Sequence, residues 1–210
     1  MKIFKDRQSS GKLLAQHLKQ YKGEDNVLVL GIPRGGVVVA SEIAKALKLP
    51  LDVLVTRKIG APFQPELALG AVDPDGEAVW DEENVRMVGE VGEIVEKELR
   101  ELRRRESLYR QGKEPLEVKD KVVILVDDGI ATGATTLAAI NHLKRHEARK
   151  IILAVPVASR ESVIRVIREI GEIGEVVVLE TPEYFQAVGQ FYQQFEPVDD
   201  EEVVKLLNHG

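Results

Sequence analysis

Two adjacent carboxylates, Asp127 and Asp128, stand where an apolar segment of the chain stops. The five residues before them, 122–126, are valine, isoleucine or leucine, which is typical of a buried strand in a parallel sheet. Gly129 and Gly133 follow in a short loop, and a helical pattern comes next. Glycine lets the backbone turn tightly and expose N–H groups, and a helix N-terminus attracts anions. The segment therefore predicts a cradle for a phosphate monoester.

The residue types of this acidic loop, residues 127–135, exclude two common nucleotide sites. A triphosphate P-loop carries a lysine followed by serine or threonine, and a dinucleotide loop carries three spaced glycines; neither pattern is present. Two carboxylates repel a bare phosphate, but they suit sugar hydroxyls beside a phosphate, as on a ribose 5-phosphate, or a hydrated metal ion. A strand, an acidic turn and a helix cap would show the same residues. We favour a ligand site, because ligands bind at the carboxyl ends of parallel strands.

A second strand–glycine loop–helix unit lies near the N-terminus. The apolar residues 27–30 run into the arginine loop, residues 31–36, and another helical pattern follows. Arg34 is a cation where the acidic loop carries two acids. Backbone N–H groups together with an arginine favour an anion site, although a tight strand-to-helix turn would also fit.

Arg57 and Lys58 follow a third apolar segment, 51–55. On an open surface, two adjacent cations would be ordinary solvated charges. Beside two phosphate sites they become candidate ligands of a pyrophosphate.

The segment 122–136 resembles the phosphoribosyl-pyrophosphate (PRPP) signature of the type I phosphoribosyltransferases. In that family an apolar strand precedes two acids, and a Thr-Gly pair with small or hydroxyl residues follows. The residues that match are Asp127, Asp128, Thr132, Gly133 and Thr135. The resemblance implies transfer of a 5-phosphoribosyl group from PRPP to a nitrogenous, nucleobase-like acceptor, with release of pyrophosphate and with Mg²⁺ as cofactor.

The resemblance also implies a role for each part of the site. Asp127 and Asp128 would be catalytic, holding the ribose hydroxyls and, through water, the metal; Arg57 and Lys58 would be catalytic cations. The 5-phosphate would be bound by Gly129, Ile130, Ala131, Thr132, Gly133, Ala134 and Thr135. The pyrophosphate would be bound by Pro33, Arg34, Gly35 and Gly36. Relatives often have a strained non-proline cis peptide in the arginine loop, and the Arg34–Gly35 bond is the candidate.

The acceptor is not identified by the resemblance. Hypoxanthine-guanine enzymes carry an aspartate where this chain has Ala131, which counts against a 6-oxopurine. Arg57 and Lys58 resemble a pair that can serve the neighbouring subunit in orotate enzymes, which implies a homodimer. The nearest resemblance is to uncharacterised phosphoribosyltransferase-domain proteins with similar Ile-Pro-Arg-Gly-Gly and Arg-Lys-Ile-Gly-Ala-Pro segments.

The order of the segments predicts an α/β fold, with one domain over 1–210. Five apolar strands, at about 27–31, 51–55, 122–126, 151–155 and 176–179, alternate with helices and predict a parallel sheet flanked by helices. A flavodoxin-like strand order would bring the first and third strands together. Residues 60–119 are expected to add a β-hairpin with a flexible loop, and a long helix over 84–110 that the core does not need. That helix would cover the site or contact another subunit.

Two further predictions concern aromatic residues and histidines. Residues 181–195 are expected to form a helix whose aromatic stripe packs on the sheet; stacking on an acceptor base is the sharper alternative. The four histidines are interpreted as structural or surface residues without metal-like spacing. They are His17, His142, His146 and His209.

Composition limits the remaining possibilities. The 210 residues carry a net charge of −6, which argues against a dedicated nucleic-acid binder. The chain has no cysteine, which excludes thiolate chemistry, and no signal-like or membrane-spanning apolar run. We expect a cytoplasmic protein that binds small molecules. Two alternatives stay open: a non-catalytic PRPP or nucleotide sensor, and a metal-dependent phosphatase or sugar-phosphate hydrolase.

Overall fold

The computed structural model describes residues 3–88 and 90–208, and the side chains of 65 and 66 lie outside the description. The strands in these ranges are β1 (Val27–Gly31), β2 (Leu51–Val53), β3 (Arg57–Ala61), β4 (Gln64–Val72), β5 (Ala78–Trp80), β6 (Val122–Val126), β7 (Lys150–Val157) and β8 (Gly174–Glu180). The helices are α1 (Arg7–His17), α2 (Gly35–Leu47), α3 (Glu82–Val88), α4 (Gly92–Arg110), α5 (Ala134–Arg145), α6 (Arg160–Ile170) and α7 (Asp200–Asn208).

Five strands form one parallel sheet in the order β2-β1-β6-β7-β8. The predicted five-stranded sheet flanked by helices is confirmed, and so is the adjacency of its first and third strands. Every residue of β1 and β6 is buried, as expected for strands covered on both faces. Gly31 pairs with Val126, so both strands end at the same level. The arginine loop and the acidic loop therefore leave the sheet at one edge.

Alternate side chains of the central strands enter two separate cores. Leu28 and Val123 face the side covered by α5 and α6, whereas Val29 and Ile124 face the side covered by α1 and α2. Both sides carry a large cluster of buried apolar side chains. Burial on both faces fixes the register, because a slip of one residue would exchange the two faces of a strand.

Helices α1 and α6 each begin with a side-chain cap. The Asp6 carboxylate accepts a hydrogen bond from the N–H of Ser9 at 2.6 Å, and the Ser159 hydroxyl accepts one from the N–H of Ser162 at 3.2 Å. Each cap satisfies an N–H group that has no partner inside its helix. Each of these two helix starts is therefore stabilised by a residue adjacent to the helix in the sequence.

A second sheet, in the order β3-β4-β5, is antiparallel. We call this sheet with α3 and α4, residues 57–110, the hood. The predicted hairpin is confirmed as β4 and β5, but the loop expected from residue 60 onward does not begin there, because β3 extends to Ala61. Ile59 is fully buried and pairs with Gly70, so a partner strand overrides the local glycine and proline signals.

The single helix predicted over 84–110 is also wrong. Helix α3 ends at Val88 and α4 begins at Gly92, consistent with the poor helix propensity of glycine; Gly89 lies outside the described residues. The expectation that the core does not need this helix is wrong as well. Leu102 and Tyr109 are buried in a third apolar cluster that joins α4 to strands β3 and β4 and to α7.

The aromatic segment 181–195 is not the predicted helix. It contains one turn of 3₁₀ helix, Val188–Phe191, in otherwise irregular chain. The backbone of Phe4 pairs with this segment, since its N–H donates to Phe191 O and its carbonyl accepts from Gln193, both at 2.8 Å. Those tertiary bonds replace the bonds of a helix. Packing is confirmed for Phe191 and Tyr192, which are buried, but Tyr184 is 83% exposed.

Candidate active site

The arginine loop and the acidic loop touch at the carboxyl edge of the sheet. The N–H of Ile32 donates to Val126 O at 2.8 Å, next to the first carboxylate. A methyl group added at Gly35 would lie 1.9 Å from Asp128 Oδ2, and one at Gly36 would lie 2.7 Å from Val126 O. Only glycine allows the two loops this approach. The structure thus brings both predicted anion sites into one crevice.

The cis peptide of the arginine loop lies between Pro33 and Arg34. The predicted position, Arg34–Gly35, was one residue too late. Helix α2 begins at Gly35, and Arg34 already has right-handed helical dihedral angles, so the Arg34–Gly35 peptide enters the helix and is trans.

The two acids differ in their surroundings. Asp127 Oδ1 accepts the N–H of Asp128 at 2.8 Å, which folds its carboxylate back over the loop. Burial, reinforced by the neighbouring Asp128 charge, raises the pKa of Asp127 well above its usual range. The charged form of Asp127 is therefore poorly stabilised by the protein around it. A bound cation or hydroxyl donors would stabilise that charged form.

Arg7 holds the second acid in place. Its Nε lies 2.7 Å from Asp128 Oδ2, its Nη1 donates to Glu196 O at 2.8 Å, and its guanidinium lies 3.8 Å from the centre of the Phe195 ring. The Tyr192 hydroxyl donates to the carbonyl of Asp128 at 2.7 Å. Sequence reasoning missed Arg7 and Tyr192, because these contacts join parts of the chain that no local pattern relates.

The outer half of the acidic loop is fastened to α6. The N–H of Ile130 donates to Val157 O at 2.9 Å, and the hydroxyls of Ser159 and Ser162 donate to Ala131 O at 2.9 and 2.5 Å. Gly133 has a φ of +80°, where a side chain would be strained. These bonds turn the carbonyl of Ala131 toward α6. They leave the first-turn N–H groups of α5, which have no acceptor inside the helix, for an anion.

The three predicted threonine hydroxyls lie in different surroundings. Thr132 is exposed and Thr135 is half-buried at the start of α5. Thr136 is fully buried, and its Oγ1 has no hydrogen-bond partner in the part of the chain that the structure describes. Thr132 and Thr135 are therefore the hydroxyls that a ligand could reach from solvent.

Arg34 faces the N-terminus of α7. Its Nη1 lies 3.9 Å from Asp200 Oδ1, and its side chain is 41% exposed. Asp200 also accepts hydrogen bonds from the Tyr109 hydroxyl at 2.6 Å and from Arg104 at 3.0 Å. The long Arg34–Asp200 distance makes a weak ion pair, so Arg34 can exchange Asp200 for an anionic ligand at low cost.

Arg57 and Lys58 lie at the start of β3, in the hood. Arg57 Nε binds Glu98 Oε2 at 2.9 Å. Both cations line a 400 Å³ cavity formed with α4, which also contains Lys97. This cavity is lined by the hood rather than by the two loops, so the pyrophosphate role of Arg57 and Lys58 stays a prediction.

A cleft of 250 Å³ separates the hood from the acidic loop. Leu67, Trp80 and Asp81 line it from the hood, and Thr132 and Arg165 line it from the other side. The hairpin of β4 and β5 therefore lies across this cleft from the acidic loop.

Known proteins resemble this chain in sequence over the region that contains the two loops. The family model described as "Phosphoribosyl transferase domain" matches residues 6–171, which include both loops and the hood. The Mycobacterium tuberculosis H37Rv protein named "Putative phosphoribosyl transferase Rv0571c" is 46% identical over 214 residues, covering 100% of this chain and 47% of the relative. The chain thus spans about half the length of the curated relatives that it matches.

Solved structures show the same fold. The crystal structure of TT1426 from Thermus thermophilus is 41% identical, covers 100% of this chain and 99% of its own, and superposes with a TM-score of 0.80. The AQ2163 protein from Aquifex aeolicus, at 15% identity, a TM-score of 0.54 and coverage of 87% and 78%, shares the fold alone. The family match covers most of the residues on which the site is built. This chain belongs to the phosphoribosyl transferase domain family.

Proposed function

We propose that the protein transfers the 5-phosphoribosyl group of PRPP to a nitrogenous, nucleobase-like acceptor and releases pyrophosphate. The observation that carries the proposal is the meeting of the two loops across the β1–β6 edge. PRPP has an anion at each end of its ribose. One cation-bearing loop and one helix N-terminus, with two carboxylates between them, match that distribution of charges and hydroxyls.

A magnesium ion fits the residues that are present. Asp127 and Asp128 supply the hard oxygen donors that Mg²⁺ prefers, and a cation beside Asp127 would stabilise the charged carboxylate that burial disfavours. Asp127 and Asp128 would hold the ion, through water, beside the ribose hydroxyls. When bound, it would neutralise the charge that develops on the departing pyrophosphate.

The remaining roles belong to the chain's own groups. The N–H groups at the start of α5 bind the 5-phosphate, and the hydroxyls of Thr132 and Thr135 add donors. The start of α2 and Arg34 stabilise the pyrophosphate as the bond to C1 of the ribose breaks. The hood excludes water, which would otherwise compete with the acceptor for the oxocarbenium-like ribose.

The proposal extends to the acceptor class and to the subunit arrangement. Ala131, where hypoxanthine-guanine enzymes have an aspartate, counts against a 6-oxopurine acceptor. Arg57 and Lys58 would serve the site of a second subunit, which makes the working form a homodimer in the cytoplasm. Within the described ranges, no helix combines the length and the apolar character that crossing a bilayer requires.

The test is release of pyrophosphate from PRPP and Mg²⁺ in the presence of purines, pyrimidines and small amines. The proposal expects release that depends on one acceptor class and is lost in Asp127→Asn. Tight binding of PRPP without turnover of any acceptor would favour the sensor instead. Release of phosphate from simple esters, with PRPP untouched, would favour the hydrolase.

A further inference from the structure

A cluster of two histidines and one aspartate lies away from the two loops. Asp75 is in the turn between β4 and β5; His142 lies in α5, and His146, four positions later, is the C-cap of that helix. His142 Nδ1 lies 3.1 Å from Asp75 Oδ2, and His146 Nε2 lies 3.1 Å from the same oxygen. One ligand atom from each of the three residues lies within 4.8 Å of the others.

The histidine spacing was misjudged from the sequence. His142 and His146 are separated by four residues, so their side chains lie on the same face of a helix. The interpretation that no histidines have metal-like spacing was therefore wrong. Asp75 comes from a distant hairpin, and only the packing of the hood against α5 brings it to the pair.

The distances suit coordination of one ion. A divalent ion held about 2.1 Å from each ligand separates the ligands by roughly 3.0 to 3.4 Å. The two measured separations between a histidine nitrogen and Asp75 are both 3.1 Å. The histidine rings lie side by side with their centroids 4.2 Å apart, so both can turn a nitrogen toward the same point.

The neighbours of Asp75 hold the cluster in shape. Asp73 is 1% exposed, and its Oδ1 accepts the N–H groups of Asp75 and Glu77 at 3.0 and 3.1 Å. Arg145 binds the other oxygen of Asp73 and also contacts Asp75 Oδ2 at 3.1 Å. Arg145 therefore shares its charge between the two aspartates, and Asp75 keeps a second oxygen, Oδ1, which lies 3.2 Å from His146 Nε2. Outer contacts of this kind orient metal ligands.

An ion can reach the cluster from solvent. His142 and His146 line a cavity of 380 Å³ on this side of the molecule. The His146 side chain is 47% exposed, and that of Asp75 is 36% exposed. Water could fill the remaining coordination positions.

We propose that Asp75, His142 and His146 bind a divalent transition-metal ion such as Zn²⁺, which clips the hood to helix α5. Two imidazole nitrogens and one carboxylate oxygen are ligands of Zn²⁺ and its neighbours in the first row, whereas Mg²⁺ prefers oxygen alone. Helix α5 begins at the acidic loop, so the clip fixes the hood turn to the element that carries that loop. This site is separate from the proposed transferase chemistry, and neither stands or falls with the other.

The experiment measures metal binding by the whole chain in excess Mg²⁺, which occupies carboxylate sites. Zn²⁺ affinity is obtained by competition with a chromophoric chelator, and Co²⁺ binding is followed by its visible absorption. The variants are Asp75→Asn, His146→Gln and the double variant His142→Gln/His146→Gln. His17→Gln is the matched control, because His17 is an exposed histidine at the end of α1.

We expect one Zn²⁺ per chain in the unmodified protein and in His17→Gln, and a Tm that rises with added Zn²⁺. Each cluster variant should bind Zn²⁺ at least about tenfold more weakly, since even outer-shell losses cost roughly 10- to 100-fold. The Co²⁺ absorption should disappear in the double variant. Equal Zn²⁺ affinity in the unmodified protein and in His146→Gln, whose side chain is partly exposed and tolerant of change, would overturn the proposal. Absence of any Zn²⁺ binding to the unmodified protein would overturn it as well.

Discussion

The arginine loop and the acidic loop are built from the same strand–loop–helix unit, yet they meet their surroundings in opposite ways. The arginine loop is held mainly through its backbone: the N–H of Ile32 donates to Val126 O, the glycines pack directly against the acids, and the Arg34 side chain adds one long ion pair among the described residues. The acidic loop is fastened by Arg7, by Tyr192 and by the serines of α6. We infer that the acidic loop is a fixed platform and that the arginine loop depends on it for position.

The largest effect is expected from Gly35→Ala, which forces the loops apart. The new methyl group would lie 1.9 Å from Asp128 Oδ2. A displacement of about 1 Å can cost roughly a hundredfold in rate, so pyrophosphate release should fall by about that factor or more. Gly92→Ala is the control, because a methyl group there meets nothing within 4 Å. Equal activity of the two variants would show that close approach of the loops is unnecessary.

Asp127→Asn removes charge from the platform while keeping its shape. Loss of a charged hydrogen-bond acceptor costs about 1.5 to 3 kcal/mol, so we expect turnover to fall roughly 10- to 100-fold.

The Asp127→Asn variant should also gain stability near neutral pH. The pKa of Asp127 is raised in the folded protein above its ordinary 3.8, so the folded state binds the proton more tightly than the unfolded state. Stability is therefore fully present below the unfolded pKa and is lost as pH rises through the folded pKa.

Urea denaturation from acid to neutral pH tests the predicted direction in which stability changes with pH. The stability of the unmodified protein relative to Asp127→Asn should decline as pH rises. Asp6→Asn provides the opposite sign, because hydrogen bonds from Ser9 lower the pKa of Asp6, whose contribution is lost as pH falls. A flat difference between the unmodified protein and Asp127→Asn would mean that Asp127 is not strained by burial.

Arg7→Gln tests whether Arg7 is needed to hold Asp128 of the acidic loop in position. Removing this guanidinium leaves the Asp128 carboxylate, 16% exposed, without its cation, which should cost about 1 to 3 kcal/mol of unfolding free energy. The KM for PRPP should rise, because Asp128 loses its fixed position. Lys12→Gln on the same helix is the control: its pair with Glu42 is 3.8 Å long and the lysine is 67% exposed, so a change within about 0.5 kcal/mol is expected. Equal losses in both would remove Arg7 from the account.

Ser159→Ala should have the smallest effect of the set. The hydroxyl caps α6 and donates to Ala131 O, so its loss should cost about 1 kcal/mol, the usual value of an N-cap. Ser162 still donates to the same carbonyl, which should keep PRPP affinity within about twofold. Chemical denaturation measures the loss of stability, and PRPP titration measures the affinity. A large loss of affinity with unchanged stability would contradict this prediction, because it would show that PRPP binding depends on the single hydrogen bond from Ser159 to Ala131 O.

The sequence was informative wherever a local pattern has a local cause. The buried strand before Asp127 and the strand–loop–helix form of the arginine loop depend on residues close by in the chain, and both were predicted correctly. The helix expected over 181–195 was wrong because Phe4, from the other end of the chain, supplies the backbone partner of that segment. Periodicity alone does not register such a partner.

The same limit explains what was missed at the candidate site. Arg7 and Asp128 lie 121 residues apart, and no spacing rule links them. Tyr192 was assigned to an aromatic stripe, although its hydroxyl reaches the carbonyl of Asp128. The proposed ligand residues came from motif chemistry, whereas Arg7 and Tyr192, which contact Asp128, required the fold.

The most direct test measures the two ends of PRPP separately, by calorimetry with ribose 5-phosphate and with magnesium pyrophosphate. Thr135→Asp places a negative charge in the first turn of α5, where it favours the helix but repels a phosphate; Arg34→Gln removes the cation of the other loop. We predict that Thr135→Asp abolishes ribose 5-phosphate binding and spares pyrophosphate, that Arg34→Gln does the reverse, and that both weaken PRPP. If either variant reduced the binding of both fragments equally, or neither changed PRPP binding, the assignment of one loop to each end of PRPP would be wrong.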